Sequence, residues 1–153
     1  MTIGADAAIE YFGTLDALGT STSAVTNNSF SDGTNDLDAY TNSDDAPWAT
    51  AALEFTTATT GTAGSVINLY AKLLDVGNAV TEDTEVPDAN FPHVLLGAFP
   101  HNNPSTTAQT ASIRITLPNA KAGQKYHFYI ENKTGFALSS LELTVDAFSF
   151  GTK

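Results

Sequence analysis

The three histidines, His93, His101 and His127, are the side chains best suited to hold a metal or move a proton near neutral pH. Their spacing argues against both. No two stand at an H-x-x-x-H interval, and no two are separated by a single residue, which would put them on one face of a strand. His93 and His101 flank one apolar run, which sets them at its opposite ends. The acidic stretch DGTNDLDAYTNSDD (32–45) offers the oxygens that calcium needs. It does not follow the D-x-[DN]-x-[DN]-G loop pattern and reads as a solvated loop with Asx-turns, as does TEDTEVPD (81–88). There is no G-x-S-x-G elbow and no glycine-rich phosphate loop. A carboxylate pair of the glycosidase type stays open, but nothing marks a particular pair. No catalytic, cofactor-binding or metal-binding residue is assigned, no cofactor is expected, and the chain is not expected to be an enzyme. Its one tryptophan, Trp48, could stack on a sugar if exposed; burial or an oligomer contact is the favoured reading.

The stretch VPDANFPHVLLGAFP (86–100) shows how far structure alone accounts for such residues. Val86 to Asn90 carry turn chemistry. Pro92 holds the chain extended ahead of a strand. Val94 to Phe99 are apolar at every position, as in a central strand buried on both faces, and Pro100 ends it.

Composition narrows the function class. Of 153 residues, 42% are hydrophobic and only 15% charged, below the quarter or so that is usual. Thr, Ser, Asn and Ala fill the gap and favour strands and turns. Cysteine is absent, which excludes disulfides and thiol chemistry and favours synthesis in the cytosol. The start MTIGADAAIEYF lacks the basic region of a signal peptide, and no apolar run reaches the ~20 residues of a membrane-spanning helix. The net charge of −11 repels phosphate backbones, so neither nucleic acid nor membrane is expected as a partner. Charge is unevenly laid out. No Lys or Arg precedes Lys72, whereas Arg114, Lys121, Lys125, Lys133 and Lys153 outnumber the acids beyond Asp88. Such asymmetry suits copies that meet acidic half to basic half.

The elements that must position these residues are strands. Period-2 alternation marks 65–75 (Ile67, Leu69, Ala71 and Leu73 on one face), 111–118 (Ile113, Ile115, Leu117), 125–132 (Tyr126, Phe128, Ile130) and 139–148 (Leu141, Leu143, Val145). Each reads as a half-buried strand with one wet face, and 48–59 reads as a further strand. Phe148 and Phe150 fall on the opposite phase from Leu141–Val145. A bulge near Asp146–Ala147, or a second contact surface, would produce that slip. ENKTG (131–135) reads as a tight hairpin turn between the last two strands. Residues 7–18 read as a strand or extended arm, and 19–47 as a long polar region with one or two short strands. The expected fold class is all-β: an antiparallel β-sandwich, jelly-roll-like, with an extended N-terminal arm. The expected organisation is 1–47 as arm and loop region, in the same domain or reaching a neighbour, and 48–153 as the sandwich.

Two segments carry a resemblance. INLYAKLLDVGNAVTEDTEVPDANFPHVLLGAFP (67–100) and YHFYIENKTGFAL (126–138) resemble a class of small structural proteins of tailed bacteriophages. That class pairs an "LYA" strand, an Asp-rich loop and an "LLG" strand with a C-terminal "YxFYIENKTG" turn. The resemblance covers about half the chain and implies a virion component made in the host cytoplasm. It implies a β-sandwich present in several copies, a homo-oligomer (trimer or dimer), with the major capsid protein or another virion protein as partner. The function expected on this basis is capsid decoration (cement), with Phe30, Tyr40, Trp48, Phe148 and Phe150 as interface residues. The alternative is a tail-fibre or adhesin-like carbohydrate-binding module.

Overall fold

The computed structural model describes residues 9–12, 16–21, 24–31, 40–43, 45–57, 64–74, 93–101 and 107–151. The strands are β1 (Ile9–Phe12), β2 (Asp16–Ser21), β3 (Tyr40–Asn42), β4 (Trp48–Thr57), β5 (Ser65–Leu74), β6 (Val94–His101), β7 (Gln109–Thr116), β8 (Gln124–Lys133) and β9 (Leu138–Gly151). There is no helix among the described residues.

Two antiparallel sheets form. One is five-stranded, ordered β1-β9-β4-β7, with β2 also on β9; the other is ordered β3-β8-β5-β6. From β2 onward the chain changes sheet at every connection except β5–β6 and so threads two interlocked Greek keys, the wiring of a jelly roll. The alternation of residue type fixes which side of each strand faces inward. Ala49, Ala51, Leu53 and Phe55 of β4 and Leu141, Leu143, Val145 and Ala147 of β9 meet Ile67, Leu69 and Ala71 of β5 and Tyr126, Phe128 and Ile130 of β8 in one core.

The N-terminal region belongs to this domain wherever it is described. β1 pairs with β9 from Ile9↔Gly151 to Phe12↔Phe148, and β2 from Asp16↔Val145 to Ser21↔Leu141. Val25 bridges Leu138, Phe30 bridges Glu131, and β3 lies on the same edge of β8.

Four expectations need correction. VLLGAF is an edge strand rather than a central one: β6 pairs only with β5 among the described residues, and Val94 and Leu95 are exposed. The bulge at Leu96, where the register slips between Leu69↔Gly97 and Tyr70↔Leu95, turns the apolar run partly outward. ENKTG joins β8 and β9, which lie in opposite sheets, so it is a sheet-crossing turn and not a hairpin. The bulge in β9 sits at Ser140 (φ 53°), opposite Phe55, while 142–148 pair regularly with β4. Phe148 therefore marks a second surface: it lies on the outer face of the five-stranded sheet. Finally, β8 is buried on both faces, because His127, Tyr129 and Glu131 are covered as well as Tyr126, Phe128 and Ile130.

Candidate functional site

The polar layer that covers β8 is the densest cluster of titratable groups described. Glu131, Asn68 and Tyr70 share the outer face of the four-stranded sheet through the pairing Asn68↔Glu131 and Tyr70↔Tyr129. Asn68 Nδ2 donates to Glu131 Oε2 at 2.8 Å, and the Tyr70 hydroxyl to the same oxygen at 3.3 Å. Lys133 Nζ lies 2.8 Å from Glu131 Oε1. Burial alone would raise the Glu131 pKa; hydrogen bonds from Lys133, Asn68 and Tyr70 and the lysine charge outweigh it and hold the carboxyl below its ordinary value. Tyr70 moves upward, through burial and then through the Glu131 charge. Phe30 packs edge-to-face on Tyr70 at 5.6 Å. Next along the sheet, His93 and His127 both pack on the Tyr129 ring, at 4.9 and 4.8 Å between centroids. The fold thus unites two histidines that stand 34 positions apart in the chain, 93 and 127. No group of three His, Cys, Asp or Glu able to hold a metal ion forms among the described residues.

His101 closes the opposite end of β6 from His93. Its ring is wholly buried against Phe55, and its Nδ1 lies 2.9 Å from Ser65 Oγ, a pairing that follows from the register Ser65↔His101. A serine nucleophile needs its histidine oriented by a third group. His101 Nε2 is buried with no hydrogen-bond partner, so this pair lacks that group and reads as core structure.

The outer face of the five-stranded sheet is different in kind. The pairings Trp48↔Phe148 and Trp48↔Thr116 place three strands' side chains in one row, with Thr50, Asp146 and Arg114 in the next. Trp48 stacks on Phe148 with centroids 6.2 Å apart and planes 24° from parallel, and the Arg114 guanidinium lies 5.0 Å above the Phe148 ring. Trp48, Arg114, Ile115, Thr116 and Phe148 line an open hollow of about 190 Å³.

The expected interface residues therefore divide. Trp48 is 37% exposed, Phe30 half-buried, and Phe148 buried beneath its two neighbours. Tyr40 is packed on Tyr126 and Phe128 inside this domain's own core and has no area to give a partner. Phe150 pairs with Glu10 in the β1–β9 ladder, and its side chain lies outside the described residues, as do the acidic stretches at 32–39 and 75–92.

Val66, Val94 and Leu95, the last 54% exposed, were not expected as a surface. Val66, Leu95 and exposed Ala98 and Pro100 share the outer face and form an apolar lane along β6 and its neighbour β5, whereas Val94, paired with core-facing Ala71, is exposed on the opposite face of the same edge strand. The signal was present in the sequence: a strand with no charged residue from Val94 to Pro100 is either central or an unprotected edge. No helix of the described residues is long and apolar enough to cross a membrane. No protein-family model matches the chain, and no curated protein matches it in sequence.

Proposed function

We propose that the chain is a structural protein of a tailed bacteriophage particle, and specifically a capsid decoration (cement) protein acting through its outer surfaces. The observation that carries this reading is where the phage-like segments fall. Residues 67–100 and 126–138 supply β5, β6 and β8, three adjacent strands of one sheet, so the resemblance covers a single contiguous structural unit. The apolar lane of Val66, Leu95, Ala98 and Pro100 lies on that unit, and Val94 is exposed on the same edge strand. An exposed apolar strip on an edge strand is a liability in a free monomer and an asset at an interface.

The capsid shell or a second copy of the chain covers this lane, and the buried polar layer on β8 keeps the sheet rigid beneath it. Copy counting by quantitative mass spectrometry on purified virions tests the reading. Hundreds of copies per particle are expected. A few dozen or fewer would mean a fibre or neck protein, and none would end the virion reading. The double variant Val94→Asp/Leu95→Asp should fold with an unchanged melting temperature, since both side chains are solvent-exposed, yet fail to join the particle. Full incorporation of that variant would move the contact elsewhere.

A further inference from the structure

We propose that the hollow beside Trp48 is a subsite for one neutral pyranose ring. This does not depend on the virion reading, because it rests on the other sheet. Trp48 presents ring surface to solvent beside the hydrogen-bonding groups of Thr116 and Arg114, with Phe148 on its other side. Thr116 and Arg114 line the hollow from β7. Thr50 and Asp146 stand one step along β4 and β9 from Trp48 and Phe148.

A pyranose has an apolar face of C–H bonds and a rim of hydroxyls. The negative face of an indole attracts the C–H face. The hydroxyls need both donors and acceptors, which the Arg114 guanidinium and the Thr116 hydroxyl provide between them. The Arg114 guanidinium is held over Phe148, so a cationic wall is already in place without ligand. The hollow, at about 190 Å³, is smaller than a drug-sized pocket and open, which suits one sugar residue at the end or side of a longer glycan. The net charge of −11 disfavours phosphorylated or acidic sugars, so the ligand is uncharged.

Trp48 is the only tryptophan, so intrinsic fluorescence reports on this hollow alone. Titration with the methyl glycosides of glucose, galactose and mannose and with N-acetylglucosamine should give a saturable change in emission for at least one, with millimolar Kd. Arg114→Met should weaken that sugar at least about tenfold, as expected on losing one hydrogen bond from a charged group. Trp48→Ala, followed by saturation-transfer NMR, should abolish binding, with circular dichroism confirming the fold. Leu95→Asp should bind as the parent does. No saturable change with any of these sugars, together with a blank array of neutral glycans probed by the multivalently displayed protein, would overturn the proposal. So would binding confined to acidic sugars, or binding that survives both Trp48→Ala and Arg114→Met. None of these outcomes bears on the copy number in virions, so the two readings fail separately.

Discussion

Replacing Asn132 by Asp changes one buried group from donor to acceptor and tests how the sheet crossing is held. Asn132 is wholly buried at the end of β8. Its Nδ2 donates to Val25 O at 2.8 Å and to Phe136 O at 2.6 Å, and its Oδ1 accepts from Thr134 N at 2.9 Å and Thr134 Oγ1 at 2.7 Å. One side chain thus clasps the N-terminal segment, the turn and the start of β9. In Asn132→Asp the shape is kept, but a carboxylate faces two carbonyl oxygens that each lose one donor; Val25 O keeps Leu138 N–H and Phe136 O keeps the Thr134 hydroxyl. Two lost hydrogen bonds of roughly 1 kcal/mol each, together with the repulsion between the buried carboxylate and the carbonyls, give a loss of about 3 kcal/mol at neutral pH, a large share of the ~5–15 kcal/mol typical of a domain. The new carboxyl is disfavoured as an anion, which raises its pKa in the folded state above the unfolded value. Its protonated form restores one donor. The stability gap to the parent should therefore be smallest below the unfolded carboxyl pKa of about 4 and widen as pH rises through the folded value. Urea unfolding of parent and variant at several pH values between 4 and 7.5 measures that gap; Asn132→Ala serves as the control whose gap stays flat. A cost under about 1 kcal/mol at pH 7.5, or a gap that widens on acidification, would refute the clasp.

Three further outcomes follow from the same contacts. Because the Glu131 carboxyl is held below its ordinary pKa, its contribution is present above the unfolded value of roughly 4.3 and lost as pH falls through the lower folded value; Glu131→Gln should flatten that acid limb in urea midpoints. A Cβ on Gly97 would lie 2.9 Å from Ile113 Cδ1, where β6 and β7 close the side of the sandwich. Gly97→Ala should cost about 1 kcal/mol, and adding Ile113→Val should cost less there than in the parent, by a double-mutant cycle. Removing residues 1–21 takes away both strands on the outer edge of β9, so the truncated chain should show a lower urea midpoint and concentration-dependent aggregation, and a monomeric truncation of parental stability would contradict the pairing.

The strands were legible because one face of each had to be apolar. Ile67, Leu69 and Ala71, or Leu141, Leu143 and Val145, announce period 2 whichever sheet they join. What alternation cannot carry is the destination of a connection. Asn132-Lys133-Thr134-Gly135 has hairpin chemistry, with Gly135 at φ 89° and an Asx-turn at Asn132, yet its strands part into different sheets. The bulges at Leu96 and Ser140 were hidden for a related reason. Each arises from a mismatch between partner strands, which no single strand encodes. Burial on the second face of β8 was masked because His127, Tyr129 and Glu131 look solvent-ready one at a time, and only the pairing with β5 reveals that they satisfy one another's neighbours.

The two outer faces also explain why the proposed contacts fall on Trp48 and Leu95 rather than on a histidine. On the four-stranded sheet, polar and aromatic groups are folded into one another, from Glu131 through Tyr70 to Phe30, so their chemistry is spent on holding the sheet. His101 is sealed in the core with Ser65 and Phe55. Surface that the fold does not use for itself lies where side chains remain exposed despite the cost in water: the β6 edge at Val94 and Leu95, and the ring of Trp48. Large apolar groups thus stay exposed at two places on two different sheets, and the proposed partner contact and the proposed sugar subsite each rest on one of them.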